Sequence, residues 1–276
     1  MLSNFIGPGV SHPAVWGKLP THADFIQIQV KGEQAQQWQN WFALQWQTGS
    51  RLPKRRRMSR ELWLNLSAQA CMEEAGNSLP VAFVLAPGQL DFSGAQYVIG
   101  VMVPSSDQIG RGHPLMVYQL APRRWLEQQW LTGQRSSRDW QFWLARLLSA
   151  VVQHAWDRQV SAKPDLRGRI EASVAQLWQV FHPAWAVRWR AAHGGSAEAI
   201  NQACEPILAP WLADHEARAD VAALLSGVPH FPRSDWPGGL AHAGFQSMFW
   251  QQTAQGEYVM AETSLAALWR EEPTGT

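Results

Sequence analysis

The chain is poor in cysteine, tyrosine and charge. Its 276 residues contain two cysteines, Cys71 and Cys204, far apart and without CxxC or metal-type spacing, which indicates neither a disulfide scaffold nor a zinc module. A reducing compartment fits that usage. Charged residues make up 16% of the chain, against roughly 25% in an average soluble domain. The net charge of +1 argues against nucleic-acid binding by global charge. Long apolar runs are also missing. The longest, Val81–Ala86 and Val101–Val103 with its flanks, fall well short of the roughly 20 residues a membrane helix needs. The opening MLSNFIGPGVSHP has no basic stretch leading into an apolar one, so a cytoplasmic protein without membrane insertion is expected. Disorder of the whole chain is excluded by 46% apolar content at near-zero net charge.

What the chain has in excess is tryptophan: 17 Trp against 3 Tyr and 10 Phe. Each indole carries a large apolar body and one N–H, so these residues build either a Trp-heavy core or an exposed aromatic surface. The scarce charge is unevenly placed as well. Segment 51–60, RLPKRRRMSR, holds six basic residues and no acid, and the rest of the chain has 17 basic and 22 acidic residues.

A loop-like start rich in Gly and Pro precedes a strong helical period over Glu33–Thr48. There Ala35, Trp38, Trp41, Phe42 and Trp46 form one stripe, and Gln residues fill the other positions. Leu62–Leu66, Pro80–Ala86, Tyr97–Val103 and Leu115–Leu120 read as strands, the middle pair being nearly continuous apolar runs bounded by Pro and Gly. Pro87–Gly94 and Pro104–Gly112 are the loops between them. From Trp125 the period changes to 3.6. Ser137–Arg158 carries a stripe from Trp140 and Trp143 to Ala155, with a capping-box-like Ser136 and Asp139 before it. A second stripe runs from Ile170 through Trp178 to Phe181, a short helix carries Trp185 and Trp189, and Asp214–Leu225 gives a last helix. Phe245–Trp250 and Tyr258–Ala261 return to strand character.

Strands, then helices, then strands predict an α+β (mixed α/β) fold: a mainly antiparallel sheet flanked by helices, with a central helical section. The expected organisation is one compact domain over 1–276, with no repeat and no long linker. Its sheet region spans about 14–125, the helical section about 126–230, and the return to the sheet about 238–276.

Catalytic signatures are missing: no GxSxG, Walker loop, HExxH or dinucleotide GxGxxG occurs. His22 and Asp24 are two ligand-type residues where a metal site needs more, so neither metal nor cofactor is expected. The segment from Val103 to Leu115 joins two strands and has two readings. It is a recognition loop or phosphate nest with Arg111 as cation, or a self-bonded connection in which Asp107 pairs with Arg111 while Gly110 and Gly112 supply positive φ. Arg55, Arg56 and Arg57 in the basic run are either a solvated loop or a patch for an acidic protein surface. The stripes assign Trp38, Trp41, Trp140, Trp143 and Trp178 to the core. Trp63, Trp211, Trp236 and Trp250 are left as the candidates for an aromatic contact surface.

Two segments taken together are more specific than either alone. Trp16-Gly-Lys-Leu-Pro-Thr-His-Ala-Asp-Phe25, the Trp38/Trp41 helix and Val103-Pro-Ser-Ser-Asp-Gln-Ile-Gly-Arg-Gly-His-Pro-Leu115 resemble the TagF (ImpM) family of type VI secretion-associated proteins, over roughly residues 14–125. The matching positions are Gly17, Lys18, Leu19, Pro20, Asp24, Phe25, Pro104, Ser105, Asp107, Gly110, Arg111, Pro114 and Leu115. The family's Gly-Asp-Phe reads Ala23-Asp24-Phe25 here, which is strained if that glycine has positive φ.

The resemblance implies a cytoplasmic, non-enzymatic accessory protein that restrains type VI secretion after translation by binding another component of the system, in some species a forkhead-associated scaffold protein. It implies that the matching residues shape the fold and are not catalytic. The alternative is a hydrolase or glycan-binding protein acting on cell-wall material, with His22, Asp24 and His113 as scattered polar candidates. An open pocket shared by Asp24, Asp107, Arg111 and a histidine would favour the enzyme.

Overall fold

The computed structural model describes residues 9–47, 80–127, 140–157, 165–181, 197–212, 244, 247–252, 258–262 and 265. Seven strands form one antiparallel sheet. They are β1 (Ala14–Gly17), β2 (Ile26–Ile28), β3 (Val81–Leu85), β4 (Tyr97–Val103), β5 (Leu115–Ala121), β6 (Ser247–Gln252) and β7 (Tyr258–Glu262). Their order is β2-β1-β5-β4-β3-β6-β7. The strands from late in the chain thus extend the sheet beside β3, and among the described residues β2 and β7 are its two edges. The α+β class with a mainly antiparallel sheet is the observed one.

Helices cover both faces. Helix α1 (Gly32–Gln47) lies on one face, and α2 (Trp140–Asp157), α3 (Leu166–Phe181) and α4 (Ala197–Leu212) lie on the other. Alternation along β3 shows the division. Val81, Phe83 and Leu85 pack with Trp38, Trp41 and Phe42 of α1, while Ala82 and Val84 pack with the three-helix layer. With both faces covered, an antiparallel strand loses the usual apolar/polar alternation. That is why VAFVL and YVIGVMV are apolar throughout and buried throughout.

Helix α2 lies between the sheet and the other two helices, and its predicted stripe from Trp140 to Ala155 is buried. Glutamines serve this layer as tethers. Gln119, buried on β5, accepts from the Trp140 indole N–H at 2.6 Å and donates to the Ser11 carbonyl at 2.7 Å. Each bond satisfies a group that would be costly to bury alone. Cys204 of α4 is buried, and burial pushes its thiol pKa up, so it acts as a small apolar side chain.

Three expectations are corrected. The start of the chain is not only loop: Ala14–Gly17 and Ile26–Ile28 are strands, too short to show a period of their own and formed because β5 offers β1 an edge. Helix α4 has no uninterrupted helical pattern in the sequence, because Pro206 and Pro210 break it. Its packing on α2 and α3 outweighs the two missing backbone donors. Trp211 and Trp250 are 2% exposed and belong to the core. The Trp211 indole N–H donates to Ser173 Oγ at 2.9 Å, and the Arg169 guanidinium lies over the ring at 4.4 Å. The other indoles assigned to the core, Trp38, Trp41, Trp140, Trp143 and Trp178, are buried. Expected elements over Leu62–Leu66, Trp185–Trp189 and Asp214–Leu225, with Trp63 and Trp236, lie outside the described residues.

Candidate functional site

The two sequence motifs form one structure. Gly17 on β1 pairs with Leu115 on β5, and its φ of 139° and close approach leave no room for a side chain. A Cβ there would run into the backbone of Pro114. Beyond this pair the chain leaves β1 as one loop (18–25) and enters β5 from another (104–114). The loops are tied by the Gln108 N–H to the His22 carbonyl at 3.0 Å and by Arg111 Nη2 to the Ala23 carbonyl at 3.2 Å.

Asp107 is the centre of the tie and has no exposed surface. Its Oδ1 accepts the backbone N–H groups of Ile109 (3.1 Å) and Arg111 (2.8 Å). Its Oδ2 accepts Lys18 Nζ (3.0 Å) and Arg111 Nε (2.6 Å). Burial by itself raises the Asp107 pKa. The bond from Lys18, the Arg111 amide and guanidinium, and attraction to the Lys18 ammonium outweigh it and hold the carboxyl well below the usual range. With every oxygen lone pair engaged, this carboxylate is not offered to a substrate.

The remaining motif residues support that ion pair. Lys18 is 8% exposed, and its ammonium lies 5.2 Å from the centre of the Phe25 ring. Phe25 in turn stacks on Trp16 at 5.0 Å. His113 meets Trp16, Phe25 and Phe42 edge-on, with centroid distances of 4.6, 4.7 and 5.2 Å. A carbonyl oxygen can only accept, so His113 carries its proton on Nδ1, which donates to the Pro114 carbonyl at 2.9 Å. Burial lowers its pKa to about 4, the Pro114 bond opposes that shift, and the nearby Lys18 charge adds to it. The imidazole is neutral near pH 7.

Gly110 has φ 84° and its N–H closes a turn on the Asp107 carbonyl at 3.0 Å, as the turn residues imply. Gly112 departs from expectation: it forms a bridge with Ser106 and has no positive φ. Ala23 is likewise outside the positive-φ set, so replacing the family glycine strains nothing here. Ser105 is buried, and its backbone carbonyl accepts the His113 N–H at 3.0 Å.

What these bonds leave outside is a small surface. Ala23, Asp24, Gln108, Ile109, Gly110, Arg111 and Gly112 are exposed. Ile109 is 69% exposed at the tip, and the Arg111 side chain is 60% exposed beside it. The sequence signal for Ile109 is a lone β-branched apolar residue among turn formers. The Lys18–Asp107 contact has no local signal, because its partners sit in separate motifs. Arg55, Arg56 and Arg57 lie outside the described residues. Among the described residues no group of three or more His, Cys, Asp or Glu is placed to hold a metal, and no helix is long and apolar enough to cross a membrane.

A two-faced antiparallel sheet with a charge-locked pair of loops at one end of β1 and β5 defines a mixed α+β protein that displays a rigid loop surface. The chain belongs to the TagF N-terminal domain family, described as type VI secretion system-associated, whose model matches residues 14–163. It is therefore associated with type VI secretion. The chain is also similar to the crystal structure of PA0076 from Pseudomonas aeruginosa PAO1, with 17% identity, 96% of each chain covered and a TM-score of 0.35. No curated protein matches it.

Proposed function

We propose that this protein is a non-enzymatic, post-translational negative regulator of type VI secretion that works by stoichiometric binding to a component of the secretion system. The observation that carries this reading is the use of Asp107. The one buried carboxylate of the motif pair is spent on holding two loops together, and the result is a rigid surface that presents Ile109 and Arg111 to solvent. An apolar side chain and an arginine on a preorganised loop suit protein recognition, where ordering costs are already met in the free state. Family membership supplies the system. The resemblance makes a forkhead-associated scaffold protein the first partner to test. Occupying such a partner lowers the amount free to assemble, by mass action. The predicted cytoplasmic location suits that role.

Ile109→Ser tests the reading, because the backbone N–H of residue 109 keeps its bond to Asp107 and the fold is untouched. In cells that assemble the secretion system, the variant is expected to co-precipitate at least about tenfold less of its secretion component, a loss of about 1.4 kcal/mol, and to release secretion from repression. Unchanged secretion on deleting the whole gene would overturn the regulatory reading. Unchanged binding by Ile109→Ser would move the contact off this loop face.

A further inference from the structure

The loop surface carries more chemistry than an exposed apolar tip. A guanidinium has five N–H donors, and Arg111 uses two of them, Nε–H to Asp107 Oδ2 and one Nη2 N–H to the Ala23 carbonyl. Three remain, both donors on Nη1 and the second on Nη2, and no bond among the described residues takes them. They belong to the outer end of a side chain that is exposed. Donors in that arrangement form a fork that fits an acceptor with two oxygens.

The charges of the two loops, 18–25 and 104–114, can be followed one by one. Asp107 accepts both Lys18 and Arg111, so two cations share one carboxylate and the lock as a whole keeps a positive charge. Lys18 is buried, so the part of the lock that shows this charge to solvent is Arg111. His113 is neutral near pH 7. His22 is half-buried, with Nδ1 2.9 Å from Thr21 Oγ1. The last charged group is Asp24, which is exposed and follows directly on Ala23, whose carbonyl holds Arg111. Among the described residues Asp24 forms no ion pair. The surface therefore presents one cation with an open fork, one anion and, at the tip, the apolar side chain of Ile109.

Two features narrow what this set recognises. Phosphate brings close to two negative charges, and Asp24 beside the fork opposes the second, whereas a carboxylate brings only one. The inner edge of Arg111 is already fixed by two bonds, so less rotamer freedom is left to lose on docking than for an untethered surface arginine. An ordered arginine beside an apolar tip is the composition of a protein contact.

We infer that this surface docks on a partner protein whose facing patch sets a carboxylate against the Arg111 fork, a lysine or arginine against Asp24, and an apolar depression under Ile109. The inference rests on the loop contact proposed above and supplies its chemistry. Arg111 then has two tasks: its inner edge holds the loops together, and its outer end recognises the partner.

The test starts from the full chain with the photo-crosslinking amino acid p-benzoylphenylalanine in place of Gln108. That residue is an exposed neighbour of Ile109, and its backbone N–H keeps its bond to the His22 carbonyl. Irradiation in cells that assemble the secretion system marks the facing peptide of the partner, which mass spectrometry identifies. The marked patch is expected to hold an Asp or Glu and a Lys or Arg. Changing that acid to its amide should weaken the purified complex at least about tenfold, and it leaves Arg111 and the loop lock untouched. Asp24→Lys should weaken binding at least about fivefold, and changing the facing base to Glu should restore most of the loss. Asp24→Lys should melt within about two degrees of the parent, which separates lost binding from lost fold. A facing patch without an acid, an acid whose amide binds equally, a phosphorylated residue against Arg111, or tighter binding by Asp24→Lys would each overturn the inference and leave the loop contact standing. Failure to crosslink from position 108, in a protein that still co-precipitates its component and represses secretion, would overturn both the inference and the loop contact but not the regulatory reading.

Discussion

Lys18 Nζ and Asp107 Oδ2 lie 3.0 Å apart although 89 residues separate them in sequence. The contact joins the first motif to the second and leaves both charges nearly without exposure, at 10% and 0% for the side chains. Breaking such a pair strands the surviving charge, which costs more than the intact pair contributes over an apolar substitute. Asp107→Asn is therefore expected to destabilise the protein by about 3 kcal/mol. Lys18→Met in the same background should recover at least about 1 kcal/mol of that loss. Urea denaturation of both single variants and the double variant gives the coupling. Strict additivity would show that the two charges do not depend on each other.

Acid stability should follow His113 first and Asp107 second. The folded-state pKa of His113, about 4, lies below the unfolded value of 6.5. The unfolded chain therefore binds the extra proton between those values, and stability is full above pH 6.5 and declines as pH falls toward 4, by at most about 3 kcal/mol. His113→Asn should flatten that part of the curve. Asp107 acts lower. Its folded pKa is depressed, so its contribution is present above the ordinary carboxylate value and is lost as pH drops below about 4. In Asp107→Asn this lower decline should be shallower than in the parent. Thermal midpoints measured from pH 8 to pH 2.5 resolve the two segments, and a parent curve that is flat from pH 6.5 to pH 4.5 would contradict the His113 assignment.

Glycine at position 17 is required by space as well as by φ. Gly17→Ala should cost at least about 2 kcal/mol, since both the positive φ and the Pro114 backbone oppose the methyl group. Ala23→Gly, at a position with ordinary φ, should cost under about 1 kcal/mol through added freedom of the unfolded chain. Comparable losses at the two positions would show that the β1–β5 approach is more yielding than its geometry.

The basic run at 51–60 is open to a direct charge test. Arg55→Ser, Arg56→Ser and Arg57→Ser together remove three of its six cations. If the run meets an acidic partner, affinity for the secretion component should fall and its salt dependence should become shallower between 0.05 and 0.5 M salt, where the screening length shrinks from roughly 14 to 4 Å. Stability should stay within about 0.5 kcal/mol. Identical affinity and identical salt slope would assign the run to solvent.

Several elements were legible because their signal is local. The stripe of Ala35, Trp38, Trp41 and Phe42 marks α1, and each of the four is buried. Tyr97–Val103 is marked by a continuous apolar run that ends in proline, and β4 has those bounds. Strands β1 and β2, with four and three residues, carry too few side chains to display any period. Helix α4 was hidden by its prolines, whose local penalty is met only by burial against other helices. At the candidate site the Arg111–Asp107 pair could be read because four residues separate its partners. Asp107 as the common acceptor for Lys18 could not.

The sequence by itself determined the class of fold, the helical faces that carry most of the described indoles, and the two motifs that mark the family. All of these are written in spacing along the chain, where period and turn chemistry act over a few residues. Only the tertiary structure decided that the central strands of the antiparallel sheet are buried on both faces, that Trp211 and Trp250 are core and not surface, and that the two motifs close on one carboxylate. These depend on which distant segments pack together, and that choice is made by the shared burial of the whole sheet and not by any segment alone.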